Sequence, residues 1–531
     1  MTRKKEKAEY GDFQTPPGLA QAVCALLANH GERPAGLLEP TCGLGNFLFA
    51  GLDQFPSVQV ALGADVNAEH LERARAVLQR RQDADRVKLT QANFFVTDWG
   101  RVASRLPEPI LVLGNPPWVT SSHLGSLGSQ NLPSKSNFQK HNGLDAVTGK
   151  ANFDISEWML IRLFEAMNGR RGTLAMLCKS STARKALGYA WKNGIASEQS
   201  AIFCIDAGLH FDAAVDAVLL VTRFRPGARE KSAKVYRGLT EKCADRVVGY
   251  EDDMLLADVE GYRRRKHLCG HDVLKWRSGI KHDCAKVMEL RWEGDRYRNG
   301  FGQLIELEST YVYPMLKSSS VAKGATGNQV RVMLVPQKSV GEQTCSIEEQ
   351  APMTWAYLRK NAELLKKRGS SIYRKRPEFS IFGVGDYSFA PWKVAISGFY
   401  KRLEFVAVGP VGRKPVVLDD TSYFLPCDTE EQAVYLASLL NSPAARSFYN
   451  AFVFWDSKRP ITADVLRRLS LRRLAEELGL EEKFNAFFGG PDDIAQKSAS
   501  GERARNGAQL ELWPDDGASR TRMPQESGEA N

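Results

Sequence analysis

Seven short apolar runs punctuate the first 225 residues, at 37–38, 58–64, 87–90, 110–113, 173–178, 201–206 and 217–224. Helical patterns such as 46–53 and 68–80 separate the early ones. Strand-length runs alternating with helix-length patterns predict a largely parallel sheet with helices on both faces. In such α/β sheets ligands bind beyond the carboxyl ends of the strands. The chemistry is therefore sought in the turns that follow the strands. After about residue 240 the alternation gives way to charged irregular stretches, long connections and aromatic-rich segments. The expectation is a seven-stranded α/β domain over 1–240, followed by a second domain over 241–487. One helix is predicted over 430–450, with Ala433, Leu436, Leu439 and Leu440 on its apolar side. Residues 488–531, rich in Gly, Ser, Asp, Arg and Gln, are predicted to form a disordered tail.

The first strand runs into Glu39-Pro-Thr41-Cys-Gly43-Leu-Gly45-Asn-Phe. Glycines let backbone pass close to a ligand, and the helix start offers unpaired N–H groups. A lone Gly-x-Gly is common to many nucleotide folds. Two features narrow it. Asp65 closes the next strand, where an acidic side chain can bind ribose hydroxyls. The turn also lacks a third glycine, having Phe47 and Leu48 instead. That disfavours a pyrophosphate and favours a nucleoside such as S-adenosyl-L-methionine. Asn93-Phe94 follows the third strand. An amide oxygen there can accept from an adenine amine while Phe94 packs on the ring.

The fourth strand ends in Gly114-Asn115-Pro116-Pro117-Trp118. Two prolines break the strand and remove two backbone donors, so the turn presents carbonyl oxygens. The Asn115 side chain adds another acceptor. An acceptor-rich, rigid turn beside an aromatic ring suits methylation of a planar amine. Acceptors that hold the amine hydrogens free its lone pair to attack, and Trp118 can stack on the base. Rate then comes from positioning and fixed dipoles rather than from a strong base. A base in a duplex must be flipped out to reach such a turn. Phe211, between the sixth and seventh strands, is the candidate for a second stacking ring.

The formal charge of +10 favours an acidic partner, nucleic acid first among them. The nine cysteines are scattered with no Cys-x-x-Cys pair, which reads as a reduced, cytoplasmic protein. Cys269, His271, His282 and Cys284 do not have the spacing of a common zinc module, so no metal is expected. No apolar run has the length of a membrane span.

Thr15-Pro-Pro, Glu39-Pro-Thr-Cys-Gly-Leu-Gly, Asp65, Asn93-Phe94 and Asn115-Pro-Pro-Trp follow one another in an order that resembles gamma-class N6-adenine DNA methyltransferases. The resemblance is strongest over about 10–225. It implies a Rossmann-like catalytic domain that uses S-adenosyl-L-methionine, then an α+β target-recognition domain that reads double-stranded DNA. Thr15, Glu39 and Thr41 would line the methionine end of the cofactor, with Gly43 and Gly45 in its turn. Asp65 would bind the ribose. Asn93 stands where the family often has Asp, and Trp118 where it often has Tyr or Phe. Phe211 matches the second stacking aromatic. Segment 119–153 resembles a loop that closes over DNA. In the second domain Lys317, Lys393, Lys458 and Arg459 are the expected phosphate or base contacts. The family serves restriction–modification or other defence systems, so a separate restriction endonuclease or defence subunit is an expected partner. Asn-Pro-Pro-aromatic turns also occur in enzymes that methylate RNA bases or protein glutamine. A degenerate, non-catalytic DNA-binding subunit is the reading from a different class.

Overall fold

A computed structural model describes residues 14–119, 154–212, 215–272, 274–324 and 331–490. The expected closing loop, beyond Val119, and the tail beyond Gly490 lie outside the described residues. The described chain divides into two compact units, one of 14–230 with 237–241, the other of 231–236 with 242–489.

The first unit is built on β1 (Gly36–Glu39), β2 (Val60–Asp65), β3 (Val87–Gln91), β4 (Ile110–Gly114), β5 (Gly172–Lys179), β6 (Ser197–Ile205) and β7 (Ala217–Phe224). Their spatial order is β6-β7-β5-β4-β1-β2-β3. β1 to β5 run parallel, and β7 inserts antiparallel between β5 and β6. The helices are α1 (Pro17–Asn29), α2 (Asn46–Gln54), α3 (Ala68–Leu78), α4 (Trp99–Ala103), α5 (Ile155–Met167), α6 (Ser180–Lys192) and α7 (Ala207–Phe211). β1 and β4 are buried along their whole length, as central strands covered on both faces must be. Their uniform apolarity follows from that cover. β3, at the edge, is only partly buried. The chain leaves β1 toward β2 on one side and returns to β4 on the other. This reversal of strand order opens a crevice at the carboxyl ends of β1 and β4.

The expected α/β class and the seven strands are present, with shifted ends. Asp206, expected to end β6, instead caps α7 by accepting a hydrogen bond from the Leu209 amide at 3.0 Å.

The second unit contains an antiparallel ribbon of β8 (Ser232–Tyr236), β9 (Arg246–Glu251) and β10 (Met254–Leu256). Its four-stranded sheet has the order β11-β20-β17-β18. These strands are β11 (Arg277–Ser278), β17 (Trp392–Ser397), β18 (Val406–Val408) and β20 (Ser422–Cys427). A six-stranded sheet orders β14-β13-β12-β16-β15-β19. It is formed by β12 (Glu289–Glu293), β13 (Arg296–Arg298), β14 (Leu304–Ile305), β15 (Val312–Leu316), β16 (Arg331–Leu334) and β19 (Val417–Leu418).

The single helix expected over 430–450 is two, Glu430–Leu440 and Pro443–Asn450. Pro443 has no N–H to continue the first helix, and Ser442 caps the second through the Ala445 amide at 3.2 Å. Asn441 between them is held elsewhere, its side chain bonding the Phe405 amide at 3.1 Å and carbonyl at 2.7 Å. Among the described residues no helix is long and apolar enough to cross a membrane. No group of three or more His, Cys, Asp or Glu could hold a metal among them either. Cys269 and Cys284 pack against separate apolar clusters.

Candidate functional site

The turn after β1 is held open by side chains from three directions. Gly43 and Gly45 both have positive φ, at 49° and 83°. Gly45 caps α2 in the left-handed region, and a Cβ there would sit 2.8 Å from the Phe49 ring, so this position requires glycine. Asp65, at the end of β2, accepts from the Gly43 amide through one oxygen and from the Asn67 amide through the other, each at 2.8 Å. Gln14 Oε1 accepts from the Leu44 amide at 3.2 Å, and Asn46 Nδ2 donates to the Thr15 carbonyl at 2.8 Å. The segment before α1 is thereby fastened to the turn. Glu39 is buried and accepts from the Leu48 amide at 2.8 Å. Burial pushes its carboxyl well above the usual range; the Leu48 N–H opposes this and the Asp65 charge adds to it.

Thr15, Glu39, Thr41, Gly43 and Asp65 line one open cleft, while Gly45 shapes the turn without lining it. Phe94 and Phe95 form another wall. Phe94 is buried, packed on Trp99 with ring centroids 4.8 Å apart. Asn93 Oδ1 accepts from the Phe95 amide at 2.9 Å, closing a local turn after β3 beside the two rings.

The turn after β4 meets the same cleft. Asn115 and Pro117 are in its wall, while Pro116 and Trp118 are buried behind. Trp118 and Phe211 are brought together, ring centroids 5.0 Å apart at 68°. That is edge-to-face contact between two buried rings. A planar base enters between them only if one ring moves.

Sequence reasoning missed several neighbours. Gln14, Asn67, His70 and Met159 line the cleft. Lys179, at the end of β5, donates to the Trp118 carbonyl at 3.0 Å and to Asp154 Oδ2 at 2.6 Å. Asn67 carried a usable signal, since Asn before a helical pattern marks an N-cap. The others reach the cleft through the tertiary fold and carry no local signature.

The four cations expected to contact DNA have different fates. Lys458 is exposed. Lys317 is half-buried and paired with Glu289 at 2.6 Å. Burial alone would raise the Glu289 carboxyl, but His282 and Lys317 hold it below its ordinary value. Arg459 lies over the rings of Tyr423 and Phe399, at 5.0 and 5.5 Å, and donates to the Asp420 carbonyl. Lys393 is a correction: it is 1% exposed, in the central strand β17, and donates to the Ala390 carbonyl at 2.5 Å. Burial pulls its amine down to about 7, and at this depth the amine is out of reach of a phosphate.

The cleft suits a nucleoside carrying an amino acid. Thr41 Oγ1 is buried there without a hydrogen-bond partner among the described residues. A hydroxyl left so calls for a polar ligand. Glu39 and Asp65 offer acceptors, and Phe94 and Phe95 an apolar wall.

No protein-family profile matches the chain. It is 44% identical over 474 residues to the type II methyltransferase M.NspV of Nostoc sp. (strain ATCC 29411 / PCC 7524), an alignment that spans 89% of this chain and 98% of that protein. Its fold is similar to that of the type IIL restriction–modification enzyme MmeI, solved in complex with DNA. That similarity has a TM-score of 0.50 at 15% identity and covers 85% of this chain and 64% of MmeI. With a donor cleft of this construction and a relative matched over nearly its whole length, the chain belongs to the type II DNA methyltransferases of restriction–modification systems, with S-adenosyl-L-methionine as methyl donor.

Proposed function

We propose that the enzyme methylates the exocyclic N6 amine of an adenine flipped out of a specific duplex DNA sequence. The observation that carries the reading is that Asn115 and Pro117 share one cleft wall system with Thr41, Glu39 and Asp65. An amine held by the turn after β4 is thus beside whatever the turn after β1 binds. When bound, the donor supplies an electrophilic methyl group on a sulfonium centre. Glu39, Thr15 and Thr41 would hold its amino-acid end, Asp65 its ribose and Phe94 its adenine ring. The Asn115 side chain and the carbonyl-rich turn accept the hydrogens of the target amine, which draws the nitrogen lone pair out of conjugation. Trp118 and Phe211 part to take the base between them. No strong base is needed, because the amine proton becomes acidic only once the new N–C bond has formed. Adenine rather than cytosine is favoured by the motif order that this chain shares with gamma-class enzymes.

The second unit is the proposed reader of DNA, with Lys458, Arg459 and Lys317 as its contacts. A separate restriction endonuclease that cuts the unmethylated sequence is the proposed partner.

Asn115→Ala tests the mechanism. Losing a fixed acceptor in the transition state should cost at least ~10²-fold in turnover. Cofactor affinity by calorimetry should stay within about threefold, since the donor is held by the other turn. Unchanged turnover would refute the role of Asn115.

A further inference from the structure

We infer that Lys179, working with Asp154, is the positioning residue that holds the Asn115–Trp118 turn in its reactive shape. The inference rests on the proposed role of that turn.

The turn is short of backbone donors. Pro116 and Pro117 have no N–H, so the backbone bonds that would lock an ordinary turn are missing where the acceptors must be fixed. The neighbouring strand supplies the lock. β4 and β5 run side by side until Gly114 pairs with Met176, and β5 then continues to Lys179. This overshoot carries Lys179 alongside the turn, where its Nζ donates to the Trp118 carbonyl at 3.0 Å. The second arm of the ammonium goes to Asp154 Oδ2 at 2.6 Å. Asp154 caps α5, its other oxygen accepting from the Ser156 amide at 3.1 Å. The Ile155 amide bonds the Val119 carbonyl at 2.9 Å, joining the same two pieces of chain by backbone.

One ammonium therefore ties together the turn after β4, the end of β5 and the start of α5. α5 also supplies Met159 to the cleft wall. The Lys179 and Asp154 side chains are 24% and 12% exposed, so water competes weakly for these bonds. Pairing has an electrostatic use as well. Methyl transfer places positive charge on the target nitrogen until its proton leaves. A lone ammonium bonded to Trp118 would oppose that charge, and the Asp154 carboxylate balances it. Lys179 thus acts through Trp118 and not on the substrate itself.

The test compares full-length wild type, Lys179→Met, Lys179→Arg and Asp154→Asn in single-turnover methylation of unmethylated phage DNA, with S-adenosyl-L-methionine affinity measured by calorimetry. Lys179→Met should slow transfer by about 30–100-fold while donor affinity stays within about threefold, because only the geometry of the acceptor turn is lost. Lys179→Arg keeps the charge and donors and should recover to within about tenfold of wild type. Asp154→Asn should slow transfer by about 5–20-fold. The inference is overturned if Lys179→Met transfers within twofold of wild type, if donor affinity falls in step with rate, or if the Arg variant is as slow as Met. Should Lys179→Met fail to fold, Asp154→Asn decides, and a wild-type rate there overturns the inference. If wild type labels RNA or protein instead of DNA, the substrate reading fails, and the same variants judge the clasp on that substrate.

Discussion

Glu39, the residue proposed to hold the donor's amino-acid end, is a buried carboxyl in the cleft wall. Its carboxyl is buried, and in the donor-free chain its protonation range lies well above the ordinary one. In the window between the unfolded and folded values, the folded state holds a proton that the unfolded state has lost. Stability of the donor-free protein therefore falls as pH rises through that window. Glu39→Gln removes this penalty and keeps an acceptor for the Leu48 amide. It should stabilise the donor-free protein at neutral pH by about 1 kcal/mol, seen as a higher melting temperature. It should also weaken S-adenosyl-L-methionine binding by about tenfold, because a charge-assisted bond to the donor is lost. Unaltered affinity would remove Glu39 from the donor's contacts. At this scale the sequence is legible where chemistry is local. Glu39, Thr41, Gly43 and Asp65 sit at strand ends and a glycine turn, and they share the cleft wall. The Asn93 bond to the Phe95 amide, which shapes the turn after β3, is likewise a local contact. Lys179 goes unread because its importance comes from the pairing of β4 with β5, which no local pattern reveals.

Strands and helices follow the apolar pattern closely, and their errors have definite causes. The break between Glu430–Leu440 and Pro443–Asn450 is set by Pro443 and by Asn441's bonds to Phe405. The first is visible in the sequence, while the second is a long-range contact that is not. β17 gives the clearest failure. A lysine in a strand suggests a solvent-facing position, yet Val394, Ala395 and Ile396 beside it are fully buried and β17 lies between β20 and β18. With its amine pulled from 10.5 to about 7, Lys393 binds a proton less tightly folded than unfolded. Between those values the unfolded chain holds the extra proton, so this group's contribution to stability rises with pH from about 7 to 10.5. Below about 7 both states are charged and the penalty is full. Lys393→Met should accordingly raise stability at pH 6.5 by about 2 kcal/mol, and its advantage should shrink steadily by pH 9.5. Thermal unfolding across that range checks it; a gap that does not change with pH would show that burial of the amine is not the cause.

At the scale of the molecule, the class of fold is legible because parallel central strands must be apolar throughout, and the alternation of strand and helix admits few arrangements. The second unit is less so. Its short strands pair across long sequence distances, as β11 does with β20, and charged residues serve both as ion pairs and as surface. Base readout of the kind proposed for this unit depends on side-chain placement against a groove, which composition and charge do not encode. The net charge of +10 favours an acidic substrate such as nucleic acid, and the turn at Asn115 suits an amine as the acceptor. The most direct test is to incubate the full-length protein with methyl-labelled S-adenosyl-L-methionine and unmethylated duplex DNA, digest the DNA to nucleosides and identify the labelled one. Label is expected in N6-methyldeoxyadenosine; label in N4-methyldeoxycytidine, or none in DNA while RNA or protein is labelled, overturns adenine methylation as the reaction.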